Sequence, residues 1–447
     1  MTTVQQSPAA VSRSGARPKV VARTGLYTVL AANVAAVAYF FVQAGFASNA
    51  LIVLGRLTGL YGALLMAFQL LLVARLPWLD RRIGMDRLTS WHRWTGFSVL
   101  WLLLAHVVFI SFGYARFSDM DPVSQLVDLA ETVEGVLRAI AALGIIIVIG
   151  VVSARFARRR LAYETWHFIH LYTYVAVVLA FTHQVAAGTS FASSKTATVY
   201  WYVLWGVALA SVFGGRLALP LWRNWRHRLR VTAVVPEADN VVSIYMTGRD
   251  LDRMPARAGQ FFLWRFLTRD RWWQANPFSL SAAPDGKQLR LTAKAAGEGS
   301  AALRHVKVGT RVFAEGPYGA FTAMHRTRPG SVLIAGGVGV TPVRALLEDI
   351  QGHAVVIYRV ATNQDAVLYD ELQRLAFDKG AELHLVTGPV SPDRLAPREL
   401  LRMVPDITDR DVFLCGPPPM MNAVLVSLRE LDVPKPQIHF ERFSLAG

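Results

Sequence analysis

Residues 91–113 read WHRWTGFSVLWLLLAHVVFISFG, an apolar stretch with one histidine near its start, His92, and one deep inside it, His106. About 20 apolar helical residues cross a bilayer. The stretch therefore spans a membrane, and two ionisable rings inside it need a purpose to offset their cost. A helix rises about 1.5 Å per residue, so His92 and His106 stand roughly 21 Å apart along the axis, and 14 steps of 100° return them to within about 40° of one face. Residues 166–187 form a second such stretch, carrying His170 and His183 about 20 Å apart. Two imidazoles facing two others at matched depths provide the axial ligands that a pair of bis-histidine haems requires. The plainer alternative is that each ring hydrogen-bonds a neighbouring helix.

The match is imperfect on the second stretch. Thirteen positions separate His170 from His183, which on an ideal helix aims them about 140° apart; using His167 instead misses by about 160°. A tilt or local distortion must intervene for both rings to face the first stretch. His167 is read as an interfacial or propionate-contacting residue rather than a ligand.

Four further apolar stretches surround these two, at 24–45, 50–74, 136–153 and 198–219, making six spans in an all-α bundle over residues 23–222 after a disordered tail at 1–22. The charge is placed accordingly. Residues 1–230 hold 22 Lys and Arg against 8 Asp and Glu, while the rest hold 25 against 23. The excess arginines, such as Arg81, Arg82, Arg155, Arg158, Arg159, Arg160, Arg226 and Arg228, sit in alternate linkers between spans. That pattern follows the positive-inside rule rather than the single basic face of a nucleic-acid binder, so no nucleic acid is expected and the bilayer is the partner. Both the tail and everything after residue 220 are placed in the cytoplasm of a plasma-membrane protein. The linker 115–135 instead carries Asp119, Asp121, Asp128, Glu131 and Glu134. Arg56, one turn into the second span, either neutralises a propionate of an outer haem or snorkels to the headgroups.

The chain has 447 residues, 53% hydrophobic and 17% charged, with a single cysteine, Cys415. One cysteine excludes an internal disulfide, a thiolate iron–sulfur cluster and a covalent c-type haem. From residue 226 the texture changes to short β-rich runs punctuated by Gly and Pro, read as a β-barrel to residue 325, then to strands alternating with helical patterns over 328–447, read as a parallel α/β sheet. Asn276-Pro277-Phe278-Ser279 ends an apolar strand, where an aromatic beside a hydroxyl suits an isoalloxazine ring. Gly297-Glu298-Gly299-Ser300 follows another strand and offers backbone N–H groups to a pyrophosphate. Gly316-Pro317-Tyr318-Gly319 reads as a tight turn closing the barrel. Gly336-Gly337-Val338-Gly339-Val340-Thr341-Pro342 lies between a strand and a helix, the context of a dinucleotide phosphate site. Cys415-Gly416-Pro417 ends a later strand, where a small side chain leaves room for a nicotinamide.

In this order the motifs resemble the membrane ferric reductase and NADPH oxidase superfamily, from about residue 24 to 443. The resemblance implies a six-helix domain with two b-type haems, His92 with His170 holding the inner and His106 with His183 the outer, followed by a dehydrogenase of the ferredoxin-NADP reductase type. It implies FAD at Asn276 to Ser279 and Gly297, Gly299 and Ser300, with Asn276 standing where the family usually has a cation. NADPH, or alternatively NADH, is implied at Gly336, Gly337, Gly339, Thr341, Pro342, Cys415, Gly416 and Pro417, with Arg359 placed to meet a 2′-phosphate. Phe443 matches the aromatic that shields the flavin. The implied activity passes hydride from NADPH to FAD and single electrons through the haems to an external acceptor, with ferric chelate favoured over oxygen. A membrane electron-delivery subunit for a periplasmic reductase is the alternative.

Overall fold

The structure, a computed structural model, describes residues 16–441 apart from 159, 162, 193, 390 and 391; Arg159 and Phe443 lie outside the described residues. Among the described residues six helices are long and apolar enough to cross a membrane: Val20–Gln43, Ala50–Val73, Arg87–Ser118, Val136–Ser153, Thr165–Ala187 and Lys195–His227. The first helix begins at Ala16, inside the stretch expected to be a disordered tail. The bundle is knit inward by Leu64, Ala67, Val99, Trp201 and Trp205, while Phe97, Trp101, Val108 and Phe112 of the third helix and Val148 and Val151 of the fourth face outward as a lipid-facing belt.

Two of the spans depart from regular geometry. The fifth consists of Tyr163–Leu171 and Thr173–Ala187, interrupted at Tyr172. There Tyr172 N–H bonds Ile169 O, three residues back, and the Thr173 hydroxyl donates to His170 O at 2.7 Å. Such back-bonding tightens and bends a helix. The sixth runs from Lys195 to Phe213, widens into a π-turn over Gly214–Ala218 and continues as Leu219–His227, beyond the expected end of the span. Pro220 has no N–H for the Arg216 carbonyl, and the π-turn takes up that defect.

The π-turn brings the sixth helix onto the end of the second. Arg216 Nε donates to Val73 O at 2.7 Å, and a Cβ at Gly215 would overlap the Ala74 carbonyl oxygen, whereas one at Gly214 would meet nothing within 4 Å. Gly215→Ala is therefore expected to destabilise the membrane domain by roughly 1–3 kcal/mol or more, read as a lowered thermal midpoint in detergent. Gly214→Ala should leave the midpoint unchanged or slightly raised.

The soluble part begins with strands β1 (Arg230–Ala238), β2 (Val241–Thr247), β3 (Phe261–Phe266), β4 (Asn276–Ser279), β5 (Gln288–Lys294) and β6 (Val312–Tyr318). The expected closed barrel resolves into two three-stranded antiparallel sheets, β1-β2-β5 and β4-β3-β6, wrapped around one core containing Ile244, Met246, Phe262, Trp264 and Leu291. They meet through the single bridges Arg230–Arg311 and Leu280–Leu291. The flavin motif Asn276–Ser279, expected at a strand end, is itself strand β4, paired antiparallel with β3.

The last part alternates strands and helices as expected: β7 (Gly330–Gly336), β8 (Ala354–Arg359), β9 (Glu382–Val386), β10 (Arg410–Cys415) and β11 (Ile438–Glu441). All pair in parallel in the order β11-β10-β7-β8-β9. The order reverses direction between β7 and β10, and in open α/β sheets ligands bind in the crevice outside the strand carboxyl ends at such a switch point.

Candidate functional site

The histidines of the third and fifth spans meet in two pairs. His92 and His170 have ring centroids 6.0 Å apart at 71°, and His106 and His183 are 6.4 Å apart at 60°. The break at Tyr172 lies between His170 and His183 and supplies the distortion that the helix arithmetic demanded. Nδ1 of His92, His170 and His183 is buried without a hydrogen-bond partner. His106 Nδ1 instead lies 2.7 Å from Gly55 O. Only a protonated nitrogen bonds a carbonyl, so Nδ1 carries the proton and Nε2 keeps its lone pair for a ligand role. Metal–imidazole bonds of about 2.0 Å on both sides of an iron, plus the ring radii, place the two centroids roughly 6 Å apart. Both pairs have that separation.

The surroundings of the pairs include residues that motif reading passed over. Trp166 stacks on His170 at 5.0 Å and donates to Ser153 Oγ at 3.2 Å, and the Arg158 guanidinium lies 4.7 Å from its ring centroid. A Cβ on Gly59 would come within 2.6 Å of His106 Nδ1, and one on Gly55 or Gly62 would press on Ile110 or Leu103. Gly55, Gly59 and Gly62 thus form a stripe that lets the third helix approach the second closely. His167 is half-buried beside Trp166 and outside both pairs. Arg56 donates to Gly45 O at 3.1 Å and Ser190 Oγ at 2.9 Å, while its Nε is buried without a hydrogen-bond partner.

In the soluble part, Phe278 packs partly on the β core, and the Ser279 hydroxyl is buried with no partner. An orphaned hydroxyl next to a half-exposed aromatic on β4 fits an absent heteroaromatic ring with a hydrogen-bonding edge. Asn276 Nδ2 reaches Trp264 O and Gln274 O only weakly, at 3.4 Å each. Ser300 Oγ accepts from Ala296 and Gly297 N–H and so shapes the Gly297–Ser300 turn.

At the switch point the two dinucleotide motifs touch. A Cβ on Gly339 would overlap Cys415 O, and one on Gly336 would lie 2.9 Å from Pro417 Cδ. Gly337 has φ +51°, a left-handed conformation that favours glycine, and Thr341 Oγ1 donates to Val338 O at 3.0 Å. Cys415 is fully buried, and burial together with the Glu441 carboxylate pushes its thiol well above the ordinary value. It is a protonated, small, uncharged side chain rather than a nucleophile.

Arg359 ends β8 and is 8% exposed; its guanidinium donates to the carbonyls of Val360, Val386, Gly388 and Pro389, clamping the loop after β9. Arg359→Gln is expected to lower the stability of the dinucleotide domain by about 2–3 kcal/mol while leaving the ratio of kcat/KM for NADPH and NADH within about threefold, as steady-state kinetics with both would measure.

The two halves dock through a polar junction. Glu315 on β6 bonds Arg75, just past the second span, and Arg265 at 3.1 Å, and accepts from Tyr318 Oη at 3.1 Å. Asp80 Oδ2 accepts from Gly319 N–H at 2.9 Å, Asn224 exchanges bonds of 2.9 and 2.8 Å with Ala314, and Arg223 donates to Gly316 O. Gly316 to Gly319 is therefore the strand end and turn that grip the membrane domain. Since Arg75 follows the second span and the third begins close by, His92 and His170 form the pair nearer the soluble domains.

Residues 58–181 match the family described as ferric reductase like transmembrane component, and residues 333–425 match the oxidoreductase NAD-binding domain. Together the two matches fit a ferric reductase/NADPH oxidase-like architecture. The first match encloses His92, His106 and His170; the second contains the glycine turn, Arg359 and Cys415. The soluble half of the chain also has separate relatives. The chain is 30% identical to NADH oxidoreductase HCR of Escherichia coli over 215 residues, 46% of this chain and 65% of that protein. It is 30% identical to a flavohemoprotein of Chromobacterium violaceum over 249 residues, 50% of this chain and 61% of that protein. The chain thus spans less than two thirds of the length of these relatives. Among solved structures, the FAD/NAD binding domain of a nitric oxide dioxygenase from Vibrio cholerae is 25% identical, with 48% of this chain and 98% of that chain covered and a TM-score of 0.41.

Proposed function

We propose that this protein takes electrons from NAD(P)H in the cytoplasm and delivers them to an acceptor on the other side of the plasma membrane, using FAD and two b-type haems. The observation that carries this reading is the pair of imidazole pairs, with centroids 6.0 and 6.4 Å apart on the same two spans. When bound, the flavin converts a two-electron donor into single electrons and the haems relay them across the hydrocarbon layer. Two protein nitrogens suffice for each haem iron. Among the described residues no three His, Cys, Asp or Glu side chains converge as a zinc or non-haem iron site would need.

The chain's own residues take distinct parts. His92 with His170 would hold the haem nearer the dehydrogenase, and His106 with His183 the outer one, while Trp166 and Gly55 orient one ring of each pair. Phe278 and Ser279 would seat the flavin ring. The glycine turn at 336–339 leaves space for phosphates beside Cys415 and Gly416, and the protonated Cys415 thiol adds no charge next to a nicotinamide. The arginines between alternate spans support the cytoplasmic placement of the dehydrogenase. Asp119, Asp121 and Asp128 on the opposite side would attract cationic iron species near the outer surface, and we assign ferric iron, delivered as a chelate, as the acceptor.

The test is a dithionite-reduced minus air-oxidised spectrum of the purified protein, with flavin quantified in the same sample. The expected result is b-type bands and two haems per FAD; a preparation with flavin but no haem bands would contradict the reading. Superoxide dismutase-sensitive cytochrome c reduction that persists without iron would reassign the acceptor to oxygen.

A further inference from the structure

Asn276 leaves the flavin site without the cation expected beside the pyrophosphate, and the structure provides one from elsewhere. Both flavin motifs open onto a groove of about 170 Å³ between β4 and the Gly297–Ser300 turn. Asn276 and Gly299 line it, together with Arg271, Gln274 and His305. The amide oxygens of Asn276 and Gln274 would each lie 3.4 Å from a Cβ on Gly299, so the three converge on one spot where a larger residue would intrude. Of the residues lining this groove, Arg271 alone carries a permanent positive charge.

Its guanidinium is already aimed. Nη1 donates to Glu298 O at 3.1 Å, inside the second flavin motif, and Nε meets Asp270 at 3.2 Å. Asp270 is 71% exposed, so that pair is a weak, solvated one. Among the described residues Nη2 makes no hydrogen bond, leaving one side of the fork open. Lys294, at the end of β5, is not a substitute: it stands by Asp365 of the dinucleotide domain, whose carboxyl is held low first by bonds from Thr362 and then by Lys294.

Resting on the flavin reading above, we infer that Arg271 is the pyrophosphate-binding cation of this protein, replacing from the preceding loop the charge that position 276 lacks. A guanidinium fork suits a diphosphate because it supplies two parallel charge-assisted bonds.

The test uses the full-length protein in detergent, stripped of flavin by high salt and titrated with FAD and, separately, with riboflavin, which lacks both phosphates and the adenosine; flavin fluorescence is the readout. Arg271→Gln should weaken FAD binding by roughly tenfold or more and leave riboflavin binding unchanged. Lys294→Gln should change neither, and Asn276→Arg added to Arg271→Gln should restore most of the FAD affinity. Equal FAD affinity in wild type and Arg271→Gln would overturn the assignment. So would equal losses for FAD and riboflavin, which indicate loop damage, or a loss that Asn276→Arg fails to recover. Wild-type protein that binds no FAD would overturn the flavin reading itself.

Discussion

Replacing His92 and His170 together with alanine is expected to remove half of the haem absorbance and abolish transmembrane electron transfer, while NAD(P)H oxidation with ferricyanide on the dehydrogenase side continues. The two rings face each other at 6.0 Å with buried, unpartnered Nδ1 atoms, so the double variant removes both protein ligands of one site and neither of the other. His106→Ala with His183→Ala should remove the other half and likewise stop transfer, because the sites act in series. The two double variants differ in what remains: loss of the outer pair leaves a haem that NAD(P)H can still reduce, whereas loss of the inner pair leaves one that only dithionite reduces. Haem quantification and anaerobic spectra with each reductant check this. Unchanged haem content in either variant would count against that pair.

The second large effect is expected at the junction between the halves. Glu315 is 6% exposed and lies between Arg75 and Arg265, so Glu315→Ala leaves two largely buried guanidiniums without their carboxylate. Breaking a buried pair of this kind costs on the order of 3 kcal/mol. The dehydrogenase would then undock from the bundle without unfolding, since its own two cores lie elsewhere. Stopped-flow spectra should accordingly find flavin reduction by NAD(P)H near the wild-type rate and haem reduction slowed by about tenfold or more. The pH dependence follows from the charges. Burial alone would raise the Glu315 carboxyl, but Arg75 and Arg265 outweigh it and hold the group below the usual carboxylate range. A depressed value means that the ion pairs contribute fully above the ordinary carboxylate value of about 4.3 and are lost only as pH falls through the lower, folded one. Wild-type coupling should therefore survive at pH 5, and Glu315→Gln should be uncoupled at every pH. Equal flavin and haem reduction rates in Glu315→Ala and wild type would contradict this account of the junction.

The parts legible in the sequence were those written in local patterns. The six apolar runs, the His92–His106 spacing on one face and the glycine turn after a strand each report on a single element, where period and composition suffice. The break at Tyr172 was legible only as a requirement: the 13-residue gap demanded a distortion without locating it. Gly55, Gly59 and Gly62 were passed over, because their meaning depends on which helix packs there. The four carbonyls that hold Arg359 were not legible, because they come from the ends of two strands and the loop after β9. The Glu315 junction and the Arg271 fork join residues 240 and 27 positions apart, and no local pattern announces such pairs.

The most direct test of the central claim is electron transfer across a sealed membrane. With the protein in proteoliposomes, a ferric chelate trapped inside and the dehydrogenase facing out, added NADPH should reduce the trapped iron, and the double alanine variant of His92 and His170 should not. Reduction confined to acceptors on the same side as the dehydrogenase, with trapped iron left ferric in the wild-type vesicles, would contradict the account.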